Sequence, residues 1–126
     1  MRRPLFQAMF MFLATIVTSI ELSAPAQASP YPCASVPNSS NEICIQHVNN
    51  NTGVRIWYWK RSGNPVTVRF SYTSGSFGHY DDGWFVASVR NTEWSYVWNG
   101  ANPGRCVNGT LHVSNGERFS TGDKCL

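Results

Sequence analysis

Four cysteines, Cys33, Cys44, Cys106 and Cys125, constrain this chain more than any other feature, because all four lie behind an export signal. Met1-Arg2-Arg3 is basic, Ala8 to Ile20 runs 13 residues without a charge, and Ala26-Gln27-Ala28 ends the short polar stretch that follows. A basic start, a brief apolar run and an A-x-A site make a secretory signal peptide, here residues 1–28. A membrane anchor needs about 20 apolar residues, and Glu21 interrupts the run too early. The expectation is a secreted, extracellular product that keeps no hold on a membrane after signal cleavage.

An exported chain with an even cysteine count reads as disulfide-stapled. Four cysteines allow three pairings. The sequential one, Cys33–Cys44 and Cys106–Cys125, is favoured because each pair brackets one local loop. Loops of this size contribute about 3 kcal/mol per bridge in the chain-entropy model, against about 5–10 kcal/mol of net stability for a small domain. Zinc sites prefer close pairs such as C-x2-C. Neither spacing here fits, so no metal and no cofactor is expected.

Between the cysteines the chain reads as strands. Residues 29–42 hold three prolines and several small polar residues, and predict an irregular arm tethered by Cys33. Residues 43–126 form the domain proper. Ile43 to Val48 is a first strand, and Asn49 to Gly53 a turn of residues that tolerate positive φ. Val54 to Arg61 and Val66 to Tyr72 are rich in β-branched and aromatic residues and predict a hairpin across Ser62-Gly63-Asn64-Pro65. In the second run Val66, Val68, Phe70 and Tyr72 alternate with Thr67, Arg69 and Ser71. Thr73 to His79 reads as a loop. Trp84 to Val89, Glu93 to Trp98, Cys106 to Val113 and a short Glu117 to Ser120 piece complete the set. No stretch carries a helical period. Short strands with turns between them predict an all-β fold, a small β-sandwich or Greek-key-like barrel, in one domain.

Charge narrows the function. Without residues 1–28 the chain is 98 residues long, with eight Lys or Arg against six Asp or Glu, a net charge of +2. The charges are scattered. That excludes a nucleic-acid binder, which needs concentrated positive charge, and argues against a membrane-active toxin.

The aromatic residues point to recognition. Trp57 and Trp59 share the strand face opposite Val54, Ile56 and Tyr58. With Lys60, Arg61 and Arg69 they predict an aromatic and cationic stripe, exposed most at Trp59-Lys60-Arg61. Trp, Tyr and Arg dominate binding hot spots. Trp94, Tyr96 and Trp98 form a second same-face row, suited to stacking on sugar rings. Large aromatics are also core material in a small domain.

Catalytic signals are few. His79-Tyr80-Asp81-Asp82 places an imidazole near two carboxylates. That stretch runs into a turn, where Asp serves the backbone. No nucleophile elbow or H-E-x-x-H occurs.

The terminal Cys125-Leu126, the aromatic and basic Trp59-Lys60-Arg61, and Val66-Thr67-Val68 followed by Tyr72 resemble small secreted bacterial β-sandwich inhibitors of the tendamistat type, which also carry two sequential disulfides. The resemblance implies a β-sandwich of similar size. The family's Trp-Arg-Tyr recognition triplet lies between its first two cysteines, whereas Cys33 to Cys44 encloses no aromatic residue here. No binding residue is carried over from it.

The expected protein is a monomeric, non-enzymatic, secreted binding module. Its partner is an extracellular protein or polysaccharide, and inhibition of an extracellular enzyme is one form of that role. A carbohydrate- or cell-wall-binding module, an antimicrobial toxin and a small hydrolase using His79 are the alternatives.

Overall fold

A computed structural model describes residues 31–126 of the chain; the expected signal peptide, 1–28, lies outside the described residues. The described residues form nine strands and no helix: β1 (Cys33–Ser35), β2 (Glu42–Val48), β3 (Gly53–Trp59), β4 (Val66–Ser74), β5 (Phe77–Tyr80), β6 (Phe85–Ala87), β7 (Glu93–Trp98), β8 (Cys106–Val113) and β9 (Arg118–Cys125). They build two antiparallel sheets. Sheet 1 has the order β1-β2-β3-β7, and sheet 2 the order β5-β4-β8-β9, with β6 also paired to β4.

The core lies between the sheets, as alternation requires. Sheet 1 contributes Ile43, Ile45, Val54, Ile56 and Tyr58, and sheet 2 contributes Val68, Phe70, Tyr72, Val107 and Leu111. Each large side chain so buried contributes about 1.5–3 kcal/mol. Gly109 of β8 lets the sheets close at the centre. A Cβ there would stand 3.0 Å from the Ile56 Cδ1 and 3.2 Å from the Ile45 Cβ. The ladder between β8 and β9 shifts register beside this glycine, and the Thr121 hydroxyl accepts the Gly109 N–H at 2.9 Å.

Both bridges form with the sequential pairing, Cys33–Cys44 and Cys106–Cys125. Each joins residues that face each other directly across two strands. β1 and β9 are edge strands, so each bridge fastens one sheet's outermost strand to its neighbour.

Several sequence expectations change. Residues Val54 to Arg61 and Val66 to Tyr72 do not form a hairpin. β3 pairs with β2 and β7, and β4 pairs with β5, β6 and β8, in the other sheet. Both strands carry apolar rows, and facing those rows across the core buries more than pairing them edge to edge. The connection at residues 60–65 is therefore an arch between sheets. Asn41 clamps it: its Oδ1 accepts the N–H groups of Arg61 at 2.7 Å and Ser62 at 3.0 Å. The arm at 29–42 is not wholly irregular, since β1 pairs with β2. Thr73 to His79 is not a loop: β4 continues to Ser74 and turns back through Gly75-Ser76 into β5. The last piece extends to Cys125 because β8 offers it a full edge. The asparagine turn is as expected, with Asn49, Asn50 and Asn51 all at positive φ.

Gly109→Val should lower stability by about 1–3 kcal/mol through overpacking, read from thermal or denaturant unfolding of the oxidised protein. Replacing Cys106 and Cys125 together by serine should cost about 2–4 kcal/mol, read in the same way.

Candidate functional site

The two outer faces of the sandwich differ in chemistry. On sheet 1, Trp57 and Trp59 do face away from the core, yet the expected open stripe is capped. Trp57 is only 6% exposed. It lies opposite Cys44, next to the Cys33–Cys44 bridge, with the Arg55 guanidinium 4.5 Å above its ring. Arg55 is itself paired with Glu93. Arg61 covers Trp59 at 5.2 Å and pairs with Glu42 at 2.6 Å, and the Tyr31 hydroxyl donates to the same Glu42. The face is a layer of tryptophans under arginines whose charges are already met.

Two of the expected contact residues lie elsewhere. Lys60 is 2% exposed rather than an exposed tip. Its Nζ turns into the arch and donates to the Ser62 carbonyl, and burial lowers its pKa. Arg69 is on the other sheet, because β4 does not pair with β3. The structure therefore brings together Trp57, Trp59 and Arg61, and separates Lys60 and Arg69 from them.

Arg69 lies at the centre of the second face. One edge of β4 is shared by two short strands, β6 along Val66 to Val68 and β5 along Ser71 to Ser74. Between them, at Phe70, Asp81 takes the place of a strand. Its N–H donates to the Phe70 carbonyl at 3.0 Å. Its Oδ2 accepts the Phe70 N–H at 2.8 Å, and its Oδ1 accepts the Gly83 N–H at 3.2 Å. Arg69 binds the same residue, through Nε to Oδ1 at 3.3 Å and a terminal nitrogen to the Asp81 carbonyl at 3.1 Å. With the corner fixed in this way, Tyr80 and Trp84 flank the guanidinium, 4.4 Å and 5.8 Å from their ring centroids. Tyr80 is 57% exposed and Trp84 51%. Val86, exposed as well, extends the apolar part of the face.

His112 stands beside Arg69 across the β4–β8 ladder and beside Arg118 across the β8–β9 ladder. Tyr80 leans over its ring at 5.3 Å. Its Nε2 is 2.6 Å from the Ser71 hydroxyl. Burial, then Arg118 and Arg69, hold its pKa below the ordinary imidazole value of 6.5, while Asp81 pulls the other way. A serine and a histidine in contact invite a nucleophilic reading, but β4 is paired along both edges here, to β5 and to β8. Its backbone there is committed to ladders on both sides. His79 is the general base of the alternative hydrolase reading. His79 stacks on Tyr72 at 5.1 Å, while Asp81 is engaged with Arg69 and Phe70.

Trp94, Tyr96 and Trp98 share a face as alternation predicts, and that face turns into the gap between the sheets. Trp94 stacks near Phe85 at 5.7 Å, and Trp98 meets Tyr72 edge-on at 4.7 Å. The Trp94 Nε1 donates to the Ser88 carbonyl, the Trp98 Nε1 to the Tyr80 carbonyl, and the Tyr96 hydroxyl to Asp82. The row closes the sandwich rather than presenting a flat platform for sugars.

Tyr80, Trp84, His112 and Arg118 were not among the expected contact residues. The signal for Tyr80 and Trp84 was the run His79-Tyr80-Asp81-Asp82-Gly83-Trp84, an aromatic pair around two acids, read as a turn; His112 and Arg118 carried no local signal. Among the described residues no group of His, Cys, Asp and Glu is arranged to hold a metal ion, and no helix is long and apolar enough to cross a membrane. Comparison with protein-family models, curated proteins and solved structures finds no match.

The linkage at His112 has a definite sign. Its folded pKa lies below its unfolded value, so between the two the unfolded chain holds more protons. The stability His112 contributes is present above about pH 6.5 and is lost as pH falls toward the folded pKa. An NMR titration should place His112 below a free imidazole, and Arg118→Gln should move it upward.

Proposed function

We propose that the protein is a secreted, disulfide-stabilised binding module that recognises another extracellular protein, and that the outer face of sheet 2 is its contact surface. The observation that carries this reading is Arg69, held between the half-exposed rings of Tyr80 and Trp84 by a buried carboxylate. Tyr, Trp and Arg are the residue types that anchor protein interfaces. Here their geometry is set before any partner arrives. Asp81 fixes Arg69 from two sides, so little side-chain freedom remains to be lost on binding. Arg69 is paired with Asp81 and the His112 pKa is lowered, so Arg118 beside them gives the face only a small positive bias, which favours a partner with an acidic or carbonyl-rich surface.

Inhibition of an extracellular enzyme is the form of this role that we favour. The tendamistat-type inhibitors present Trp, Arg and Tyr as a contiguous triplet. This chain has no such triplet; Trp84, Arg69 and Tyr80 meet only through the fold, from the turn before β6, from β4 and from β5, and they stand on their own geometry. The face on sheet 1 is the weaker candidate, because its arginines are spent on Glu93 and Glu42.

The test is a comparison of two double variants against whatever extracellular protein the mature chain retains. Tyr80→Ala with Trp84→Ala should weaken retention by at least about tenfold, the effect of losing a single hot spot. Trp59→Ala with Arg61→Ala should change it far less. The reverse ranking would move the contact surface to sheet 1, and full retention by the Tyr80 and Trp84 variant would remove the proposal.

A further inference from the structure

We propose that the cleft between the β5–β6 corner and β7 is a second site, which takes a small quaternary ammonium ligand of the choline type. The cleft encloses about 390 Å³. It opens where the edges of the two sheets meet: β7 is the last strand of sheet 1, and β6 runs along the far side of β4 in sheet 2. Phe70, Phe85, Trp94 and Tyr96 line it, with Asp82 at the corner.

The polar ends of these rings are already used. The Trp94 N–H goes to the Ser88 carbonyl at 3.2 Å, and the Tyr96 hydroxyl goes to the Asp82 Oδ1 at 2.9 Å. The rings are left to offer π surface. Phe85 and Trp94 make one wall, their planes only 26° apart.

The charge at the corner is unbalanced. The neighbouring Asp81 is paired with Arg69, whereas among the described residues no Lys, Arg or His forms an ion pair with Asp82. Asp82 is exposed, and its hydrogen bond, then burial and its charge, push the Tyr96 phenol upward. An aromatic cleft with one uncompensated carboxylate attracts cations through both the ring quadrupoles and the formal charge.

The kind of cation follows from the hydrogen bonding. A primary ammonium carries three N–H groups that need acceptors, and a sugar carries several hydroxyls. The cleft offers few free polar partners to either. A quaternary ammonium has no N–H to satisfy. Its methyl groups present diffuse positive charge to the aromatic faces, and its charge remains within reach of Asp82.

The cleft shares Trp84 and Asp81 with the protein-binding face, but the inference is argued from Asp82, Phe85, Trp94 and Tyr96, and its test varies none of Arg69, Tyr80 and Trp84, so each proposal can fail alone. The experiment is a titration of the mature protein with choline chloride at constant ionic strength, followed by tryptophan fluorescence and by the Trp94 indole resonance. A saturable change at Trp94 is expected. The neutral isostere of choline, with a quaternary carbon in place of nitrogen, should bind at least about tenfold more weakly. Asp82→Asn should weaken choline by a similar factor, and circular dichroism would check that this variant is folded. The isostere comparison needs no variant. No saturable change with choline, equal binding of the isostere, or binding of glucose or N-acetylglucosamine in preference to choline would overturn the assignment.

Discussion

Asp81 stands where a strand is missing. The long strand β4 has β8 along one edge, but its other edge is divided between β5 and β6, and at Phe70 neither reaches it. A buried, unpaired backbone N–H and C=O would cost a few kcal/mol. Asp81 meets both, one with its carboxylate and one with its own N–H. A buried carboxylate needs a cation in turn, and Arg69, the next residue along β4, supplies it. The corner that joins β5 to β6 is thereby fixed to the centre of sheet 2. The placement of Tyr80 and Trp84 around Arg69 follows, and so does the position of Asp82 at the mouth of the cleft.

This arrangement explains why the two outer faces are not equivalent. On sheet 1 each arginine lies over a tryptophan and meets an exposed or partly exposed carboxylate: Arg55 with Glu93, Arg61 with Glu42. Such pairs contribute little to stability individually. Their consequence is that the indole rings are covered and the face is neutral. On sheet 2 the carboxylate lies beneath the arginine, on the core side, so the guanidinium is paired from below and its aromatic neighbours stay open to solvent. The same residue types give a closed surface in one place and an available one in the other, and the side from which the acid approaches makes the difference.

The fold class, the two bridges and the core rows were legible in the sequence because they depend on local pattern. Val68, Phe70 and Tyr72 alternate with Arg69 and Ser71 whatever the strands beside them. Cys33 and Cys44 are close enough along the chain to meet in almost any β arrangement. Pairing partners were not legible. The arch at residues 60–65 carries Ser, Gly, Asn and Pro, the composition of a hairpin turn, and nothing local distinguishes a turn within a sheet from a passage between sheets. That decision belongs to the core, which gains more when β3 and β4 face each other. The misplacement of Arg69 and Lys60 follows from that single choice. Once β3 and β4 are in different sheets, Arg69 cannot lie beside Trp59, and Lys60 enters the arch with its ammonium turned toward Ser62. Asp81 was hidden for a related reason. An acid before a glycine near a turn reads as turn chemistry, and its link to Phe70 spans 11 residues that only the folded chain brings together.

The corner also ties the two proposed sites to one support without making them one site. Asp81 and Asp82 are adjacent in the turn between β5 and β6, yet their side chains meet different sheets. Asp81 meets Arg69 on the outer face of sheet 2, while Asp82 meets Tyr96 on β7 of sheet 1. Each carboxylate therefore orders a different set of rings. Tyr80 and Trp84 gather around the arginine, and Tyr96 with Trp94 forms the wall of the cleft. An arginine paired with a buried carboxylate leaves a mainly aromatic surface suited to a large partner. A carboxylate with only a phenol for company keeps its charge, and that charge selects what can enter the cleft beside it.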